Sequence, residues 1–246
     1  MKNTIKFLLL ICIVIFSACD KSSSSSSDAS AAANGSLTRF ITAGNYLYIV
    51  DNSSLKTYSL LIPSAPVFKN SINVGFAIQT IFVYQDKLFI GSSNNMYIYG
   101  ISNPEIPSLI AEVTYFVRGR DPIVANDSVA YSTVRNEGQG IGGVLNVFNL
   151  KNIKQPQNMQ VIPMQNPYGL GIKDSALYVC ESTAGLKVFN IKNAYSPLLR
   201  TTLNLNETFY DVIVQGNILV CYIKSGIAFI DISSVFNPIV IATIKN

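Results

Sequence analysis

The chain has 246 residues, of which 49% are hydrophobic and only 13% are charged, a composition typical of a folded domain and not of a disordered chain or a coiled coil. It contains no His, which excludes Ser-His and Cys-His catalytic pairs and every His-liganded metal site. The formal net charge is +4, and Lys2 and Lys6 contribute two of these charges. So small an excess argues against a nucleic acid as the partner.

The first 18 residues have the pattern of an export signal. Lys2 and Lys6 provide the positive charge that precedes an unbroken apolar run from Phe7 to Phe16. A helix of this length covers about 15 Å, roughly half of the hydrocarbon core of a bilayer. The sequence therefore predicts that residues 1–18 are a cleaved signal peptide and not a transmembrane helix.

A cysteine follows the export signal directly. The junction Phe16-Ser17-Ala18-Cys19 resembles the lipobox of bacterial lipoproteins, in which the cysteine is lipidated and becomes the mature N-terminus. This resemblance implies a fatty acid such as palmitate on Cys19 and attachment to a membrane through that lipid. It also implies a place in the cell envelope, and we expect the outer membrane, at its periplasmic or surface side. The alternative is an ordinary signal peptide that is cleaved near Ala18.

The segment from residue 19 to residue 36 is rich in serine and carries no large apolar side chain. Such a sequence cannot bury enough apolar surface to offset the entropy lost on ordering. We expect it to be a disordered tether between the anchor and the folded part of the chain.

Residues 37–246 consist of five copies of one unit. In each copy an apolar residue lies six positions before a proline, and these prolines are Pro66, Pro107, Pro156, Pro197 and Pro238. A second marker has nearly the same spacing: Leu47, Leu88, Val129, Leu177 and Leu219. The longer third copy contains a glycine-rich insert from Arg135 to Gly143. Two independent markers with a common period of about 41 residues indicate a repeat protein.

Each copy contains four short runs rich in Val, Ile, Tyr and Phe, separated by turn residues. The first two runs are joined at Gly44-Asn45 and its equivalents Gln85-Asp86, Asn126-Asp127, Lys173-Asp174 and Gly216-Asn217. Four antiparallel strands in about 41 residues are the size of one propeller blade. We predict an all-β, five-bladed β-propeller with blades at about 37–74, 75–114, 115–164, 165–205 and 206–246. The ring should close by packing, without strand exchange.

The third run of each copy resembles the repeat of a known protein family. Gly226 to Ser233, followed by Asn237-Pro238, resembles the LVIVD repeat, and Gly185 to Ile191 and Tyr97 to Pro104 are similar. Members of the LVIVD repeat family are typically secreted or lipid-anchored, propeller-like proteins of unassigned activity. The resemblance implies the same architecture and location here. Asn149 and Asn190 replace the aspartate of the family pattern, which most simply serves a turn.

The first strand of each blade should line the central channel. Eight residues before the second markers lie Arg39, Thr80, Asp121, Gly169 and Asp211, which could form a ring at one mouth. The ring could bind a cation or a polar ligand, or Asp121 and Asp211 could simply cap their strands. Two carboxylates would also permit a carbohydrate-active enzyme, although no third acid converges with them.

Loops at the same mouth provide the candidate binding face. The connection between blades 2 and 3 and the insert in blade 3 combine aromatic, cationic and amide side chains, and Arg and Tyr often dominate binding energy. A solvated loop face without a partner is the alternative. The candidate residues are Tyr115, Phe116, Arg118, Arg120, Asp121, Asn136, Gln139, Tyr168, Tyr210 and Asp211.

No pattern indicates a cofactor or a metal site. Cys180 and Cys221 lie in apolar runs, which favours buried free thiols, although a disulfide is possible outside the cytoplasm. Taken together, the sequence predicts a lipid-anchored, extracytoplasmic, non-catalytic binding or scaffold module, whose partner is an envelope protein or a glycan. A carbohydrate-active enzyme is the alternative.

Overall fold

The computed structural model describes residues 37–114, 122–135 and 142–246. These residues form twenty β-strands and contain no helix. The strands form five four-stranded antiparallel sheets that are arranged as a ring. The prediction of an all-β, five-bladed β-propeller is therefore confirmed.

The strands follow one another through the blades. Blade 1 contains β1 (Phe40–Ala43), β2 (Tyr46–Val50), β3 (Ser54–Ser59) and β4 (Val67–Asn73). Blade 2 contains β5 (Ile78–Tyr84), β6 (Lys87–Ser92), β7 (Asn95–Gly100) and β8 (Ser108–Thr114). Blade 3 contains β9 (Ile123–Asn126), β10 (Val129–Val134), β11 (Val144–Asn149) and β12 (Gln157–Pro163). Blade 4 contains β13 (Leu170–Lys173), β14 (Ala176–Cys180), β15 (Leu186–Asn190) and β16 (Leu198–Leu203). Blade 5 contains β17 (Phe209–Gln215), β18 (Ile218–Ile223), β19 (Gly226–Asp231) and β20 (Ile239–Lys245).

Within every blade the spatial order of the strands is their order in sequence. The predicted absence of strand exchange is thus confirmed. The first strands of successive blades contact one another around the axis, from β1 through β5, β9 and β13 to β17. The fourth strand of each blade is the outer edge of its sheet.

A two-residue loop joins the first two strands of every blade. In four blades the first loop residue has a positive φ, and these residues are Gly44, Gln85, Asp174 and Gly216. Such a conformation is typical of tight hairpins, whose twist matches that of the strands.

The register corrects two details of the sequence prediction. In blade 3 the loop is Asp127-Ser128, and in blade 4 it is Asp174-Ser175, each one residue later than predicted. The residue of blade 3 that is equivalent to Leu177 is therefore Ala130, not Val129. The spacing alone could not detect this shift, because Val129 and Ala130 are both apolar and adjacent.

All five blades contain a β-bulge at the same place. The outer strand has one extra residue where it pairs with the third strand, opposite Thr57/Tyr58 in blade 1 and Phe229/Ile230 in blade 5. The same irregularity occurs in blades 2, 3 and 4. A bulge of this kind bends and twists the strand that contains it.

Four apolar clusters hold successive blades together. They lie between blades 1 and 2, 2 and 3, 3 and 4, and 4 and 5. In three of these pairs of blades, a tyrosine hydroxyl of the first blade donates a hydrogen bond to a backbone carbonyl of the next blade. Tyr48 donates to Pro104 at 2.8 Å, Tyr131 to Ala194 at 2.7 Å, and Tyr178 to Val235 at 2.8 Å.

The seam between blade 5 and blade 1 is packed differently. In the part of the chain that the structure describes, no apolar cluster includes buried residues from both of these blades. Val220 replaces the tyrosine at the position of Tyr178, so blade 5 has no equivalent hydroxyl. The close packing that we predicted for ring closure is therefore present at four joints and incomplete at the fifth.

Cys180 and Cys221 are free and buried, as predicted. Burial raises the pKa of the Cys221 thiol to about 12 and that of Cys180 well above its usual value. Both thiols are therefore protonated at neutral pH, which favours a packing role.

Among the described residues no helix is long and apolar enough to cross a bilayer.

Candidate functional site

The blade topology places several loops at one end of the propeller, which we call the upper end. It is the end where the first strand of each blade begins. Because the strands alternate in direction, the loops between second and third strands lie there too, as do the connections between blades. Tyr168, Tyr210 and Asp211 belong to this end.

A row of aromatic side chains lies at the upper end of blades 4 and 5. The ring centroids of Tyr168 and Tyr210 are 5.3 Å apart at an interplanar angle of 76°. Those of Tyr210 and Tyr222 are also 5.3 Å apart, at 37°. The guanidinium carbon of Arg135 lies 3.8 Å from the centroid of the Tyr168 ring. We call Arg135, Tyr168, Tyr210 and Tyr222 the aromatic row.

The backbone fixes the start of the row. The N–H of Tyr168 donates to the carbonyl of Cys180 at 2.7 Å, and the Thr133 hydroxyl donates to the carbonyl of Tyr168 at 2.5 Å. The N–H of Gly169 donates to the carbonyl of Tyr210 at 2.9 Å. These bonds connect blades 3, 4 and 5, so the rings are held by the sheets and not by a mobile loop.

Gly169 allows the close contact between blades 4 and 5. A Cβ atom at this position would lie only 1.9 Å from Oδ1 of Asp211. The Asp211 carboxylate accepts a hydrogen bond from the N–H of Val212 at 2.9 Å. The carboxylate thus occupies the space that a side chain on Gly169 would need.

The predicted ring of five positions is only partly formed by polar groups. With the corrected register, the ring position in blade 3 is Pro122. Its carbonyl accepts a hydrogen bond from the N–H of Thr133, just as the carbonyl of Gly169 in blade 4 accepts one from the N–H of Cys180. Asp211 is then the one acid among the ring positions that the structure describes. Arg39 and Thr80 line a separate cleft of about 340 Å³ between blades 1 and 2.

Seven of the predicted binding residues lie outside the described residues. They are Tyr115, Phe116, Arg118, Arg120, Asp121, Asn136 and Gln139. The structure brings the other three predicted residues together, since Tyr168 contacts Tyr210 and Asp211 follows Tyr210 in the chain.

Two members of the row were not among the predicted site residues. Arg135 was recognised only as the first residue of the insert. Tyr222 was overlooked because it lies inside an apolar strand that the sequence pattern predicts to be buried. Yet its side chain is 54% exposed, whereas Cys180 at the equivalent position of blade 4 is fully buried.

A buried ion pair supports the segment that leads to Tyr168. The fully buried Glu181 lies 2.7 Å from the ammonium group of Lys187. Its other oxygen accepts a hydrogen bond from the N–H of Gln165 at 2.6 Å. One oxygen is therefore held by the ion pair and the other by the backbone of Gln165, so the carboxylate helps to position the chain.

Among the described residues, the side chains that could ligate a metal ion form no metal site. No group of three His, Cys, Asp or Glu residues in those ranges could hold a metal ion. In those ranges the upper end presents aromatic faces and a stacked guanidinium, which are groups that can contact a ligand, together with the carboxylate of Asp211.

The sequence matches no family model and no curated protein. Similar solved structures exist. The periplasmic gluconolactonase PpgL of Pseudomonas aeruginosa aligns over 82% of this chain and 68% of its own, at 11% identity and a TM-score of 0.66. AztD of Citrobacter koseri aligns over 83% of this chain and 61% of its own, at 14% identity and a TM-score of 0.61.

BamB of Moraxella catarrhalis aligns over 77% of this chain and 55% of its own, at 10% identity and a TM-score of 0.57. This chain thus spans between 55% and 68% of the length of these three proteins. At such low identity the similarity concerns the fold alone.

Proposed function

We propose that this protein is a lipid-anchored, extracytoplasmic propeller that binds a partner through its upper end and catalyses no reaction. The partner would be another envelope protein or a glycan. The anchor would be Cys19, held in the outer membrane. The resemblance to the LVIVD repeat family, with its secreted and lipid-anchored members, is part of this proposal.

The aromatic row is the observation on which the proposal depends. Tyr and Arg supply rigid apolar area together with hydrogen-bonding groups, and they are the residues that most often dominate interfaces. Here they form a continuous series with contacts of 3.8 to 5.3 Å. A surface that is already ordered loses less entropy on binding.

The similarity to BamB and to the gluconolactonase leaves both a binding role and a catalytic role to be considered. Hydrolysis of a glycosidic bond normally needs two carboxylates that flank the substrate. Asp211 is the one described acid among the ring positions, and Glu181 is engaged with Lys187 and Gln165. This distribution favours binding over catalysis.

The test compares partner capture by single variants. Wild-type protein, Tyr168→Ala and Tyr210→Ala are crosslinked in intact envelopes, purified, and compared for the partners they retain. Phe68→Ala is the matched control, because Phe68 is an aromatic residue, 54% exposed, on the outer strand of blade 1. We expect the row variants to lose the partner that wild type and Phe68→Ala retain, with affinity about 5- to 150-fold weaker.

Two results would contradict the proposal. One is that both row variants capture the same partners as wild type, with circular dichroism showing that all are folded. The other is a hydrolytic activity of the wild-type protein on envelope glycans that Asp211→Asn abolishes.

A further inference from the structure

The cleft at the upper end between blades 1 and 2 has the composition of a small ligand site. Its volume of about 340 Å³ falls within the range of small-molecule sites. Ile78 and Thr80 line its floor, since they are only 1% and 3% exposed. Arg39 and Asn52 are exposed and line its rim, and Gln79 adds a second carboxamide. The cleft thus combines a buried floor with a polar rim.

Arg39 is the one cation among the five ring positions. The equivalent residues of the other blades are Thr80, Pro122, Gly169 and Asp211. The side chain of Arg39 is exposed, so packing within the fold does not account for it. In the part of the chain that the structure describes, no ion pair or hydrogen bond engages its guanidinium group. A cation of this kind attracts an anion from solution.

The nearest acid in the sequence of the rim, Asp51, is already paired. Its Oδ2 lies 2.9 Å from the ammonium group of Lys56, and its Oδ1 accepts hydrogen bonds from the N–H groups of Ser53 at 3.0 Å and Ser54 at 2.7 Å. The bond to Lys56 and these backbone bonds hold the pKa of Asp51 well below its usual value. The described residues that line the cleft include no acid. The charge of Arg39 is therefore not neutralised within the cleft.

Backbone contacts fix both sides of the cleft. The N–H of Ile78 donates to the carbonyl of Asn52 at 3.0 Å, which joins the start of blade 2 to a loop of blade 1. Ala77, which precedes Ile78, has a φ of +52°, a conformation that few residues other than glycine adopt. The N–H of Val50 donates to the carbonyl of Arg39 at 2.8 Å. A cleft that is already formed loses less entropy when a ligand binds.

The groups that line the cleft match a carboxylate on a molecule that also carries hydroxyl groups. The guanidinium of Arg39 can bind a carboxylate through two parallel hydrogen bonds. The carboxamides of Asn52 and Gln79 can both donate to hydroxyl groups and accept from them. A phosphate group carries up to two negative charges, and the described lining supplies one cation. A carboxylate and several hydroxyl groups on one small molecule are the chemistry of a sugar acid.

We propose that this cleft binds a sugar acid, with the carboxylate on Arg39 and the hydroxyl groups on Asn52 and Gln79. A free uronic acid and a uronic acid unit within a glycan share this chemistry. The cleft belongs to blades 1 and 2, whereas the aromatic row belongs to blades 3 to 5. The proposal therefore does not depend on the aromatic row.

The experiment titrates the intact protein in detergent with glucuronate and measures binding by calorimetry. We expect saturable binding, and glucose, which has the same ring without the carboxylate, should bind at least about 10-fold more weakly. Arg39→Gln should weaken glucuronate binding by a similar factor, and Arg39→Lys should weaken it less. Arg200→Gln is the matched control, because Arg200 is an exposed arginine on the outer strand of blade 4, and it should bind glucuronate as wild type does.

An oligosaccharide that contains glucuronate distinguishes the two sources of the ligand. Tighter binding of the oligosaccharide than of free glucuronate would identify a glycan, and equal binding would identify a free sugar acid. Either result supports the proposal if Arg39→Gln weakens it.

Four outcomes would overturn the proposal. They are a lack of saturable glucuronate binding, equal binding of glucose and glucuronate, and equal effects of Arg39→Gln and Arg200→Gln in variants that circular dichroism shows to be folded. The fourth is displacement of glucuronate by an acidic peptide at a lower concentration than by glucuronate itself, which would indicate a peptide site. Partner capture by the Tyr168 and Tyr210 variants is a separate measurement, so failure of one proposal leaves the other standing.

Discussion

The hydroxyl of Tyr178 donates a hydrogen bond of 2.8 Å to the backbone carbonyl of Val235 and so connects blade 4 to blade 5. We expect Tyr178→Phe to lower the free energy of unfolding by about 1–2 kcal/mol, because the carbonyl loses its donor in a partly buried joint. Denaturant titration measures this loss. Tyr222→Phe is the matched control, since Tyr222 is 54% exposed, and it should change stability by less than about 0.5 kcal/mol. An equal effect of the two substitutions would contradict this role of the bond.

Alkaline pH should destabilise the propeller. Burial raises the pKa values of Tyr48, Tyr131 and Tyr178 well above the usual value of 10.0. The folded state therefore keeps these protons where the unfolded state releases them. Their contribution to stability is complete below pH 10 and falls as the pH rises, by at most about 1.4 kcal/mol per pH unit for each group. Denaturant titrations from pH 8 to pH 11 check this, and Tyr178→Phe should reduce the slope.

Substitution of Gly169 should disturb the aromatic row from within the fold. A Cβ atom there would meet Oδ1 of Asp211 at 1.9 Å, so Gly169→Ala should displace that carboxylate and the neighbouring Tyr210. We expect Gly169→Ala to lower the free energy of unfolding by about 1–3 kcal/mol and to weaken partner binding. Gly216→Ala is the control, because its φ is +59° but no atom lies within 4 Å of its Cβ position. Gly216→Ala should lower the free energy of unfolding by about 1 kcal/mol and leave partner binding unchanged. Equal binding by Gly169→Ala and wild type would refute the expectation.

Removing one partner of the Glu181–Lys187 pair should be costly. Lys187→Met leaves the fully buried carboxylate of Glu181 without its cation. Because the lysine side chain is 23% exposed, we expect Lys187→Met to lower the free energy of unfolding by about 2 kcal/mol, less than for a fully buried pair. The double variant Glu181→Gln/Lys187→Met should recover part of this loss. A double-mutant cycle measures the coupling, and a value near zero would show that the pair contributes nothing.

Lipidation of Cys19 is tested by metabolic labelling with a fatty acid. We expect the label on the wild-type protein and none on Cys19→Ser, which should also leave the membrane fraction. Label that persists on Cys19→Ser would place the lipid on another residue and refute Cys19 as the anchor, whereas a wild-type protein without label would favour simple cleavage near Ala18. Binding through the aromatic row is independent of this result.

The five blades could be predicted because each copy repeats both apolar markers and turn residues, and errors in one copy are corrected by the others. The row could be predicted only in part. Tyr168 and Tyr210 lie beside ring positions that the repeat defines. Tyr222 could not be identified, because its exposure arises from incomplete packing at the seam and not from its own strand. The one-residue shift at Val129 arose because two apolar residues follow the turn.

The bulge shared by all five outer strands has a consequence for solubility. Each outer strand is an open sheet edge, and Phe68, Leu109, Leu198 and Ile241 on these strands are between 54% and 60% exposed. Open, flat and apolar edges are templates for pairing with strands of other molecules. The bulge twists each edge and interrupts its regular hydrogen-bonding positions, which disfavours extension of the sheet by a neighbouring molecule. If the proposed anchor at Cys19 crowds the molecules on a membrane, they can lie side by side without aggregating through their edges.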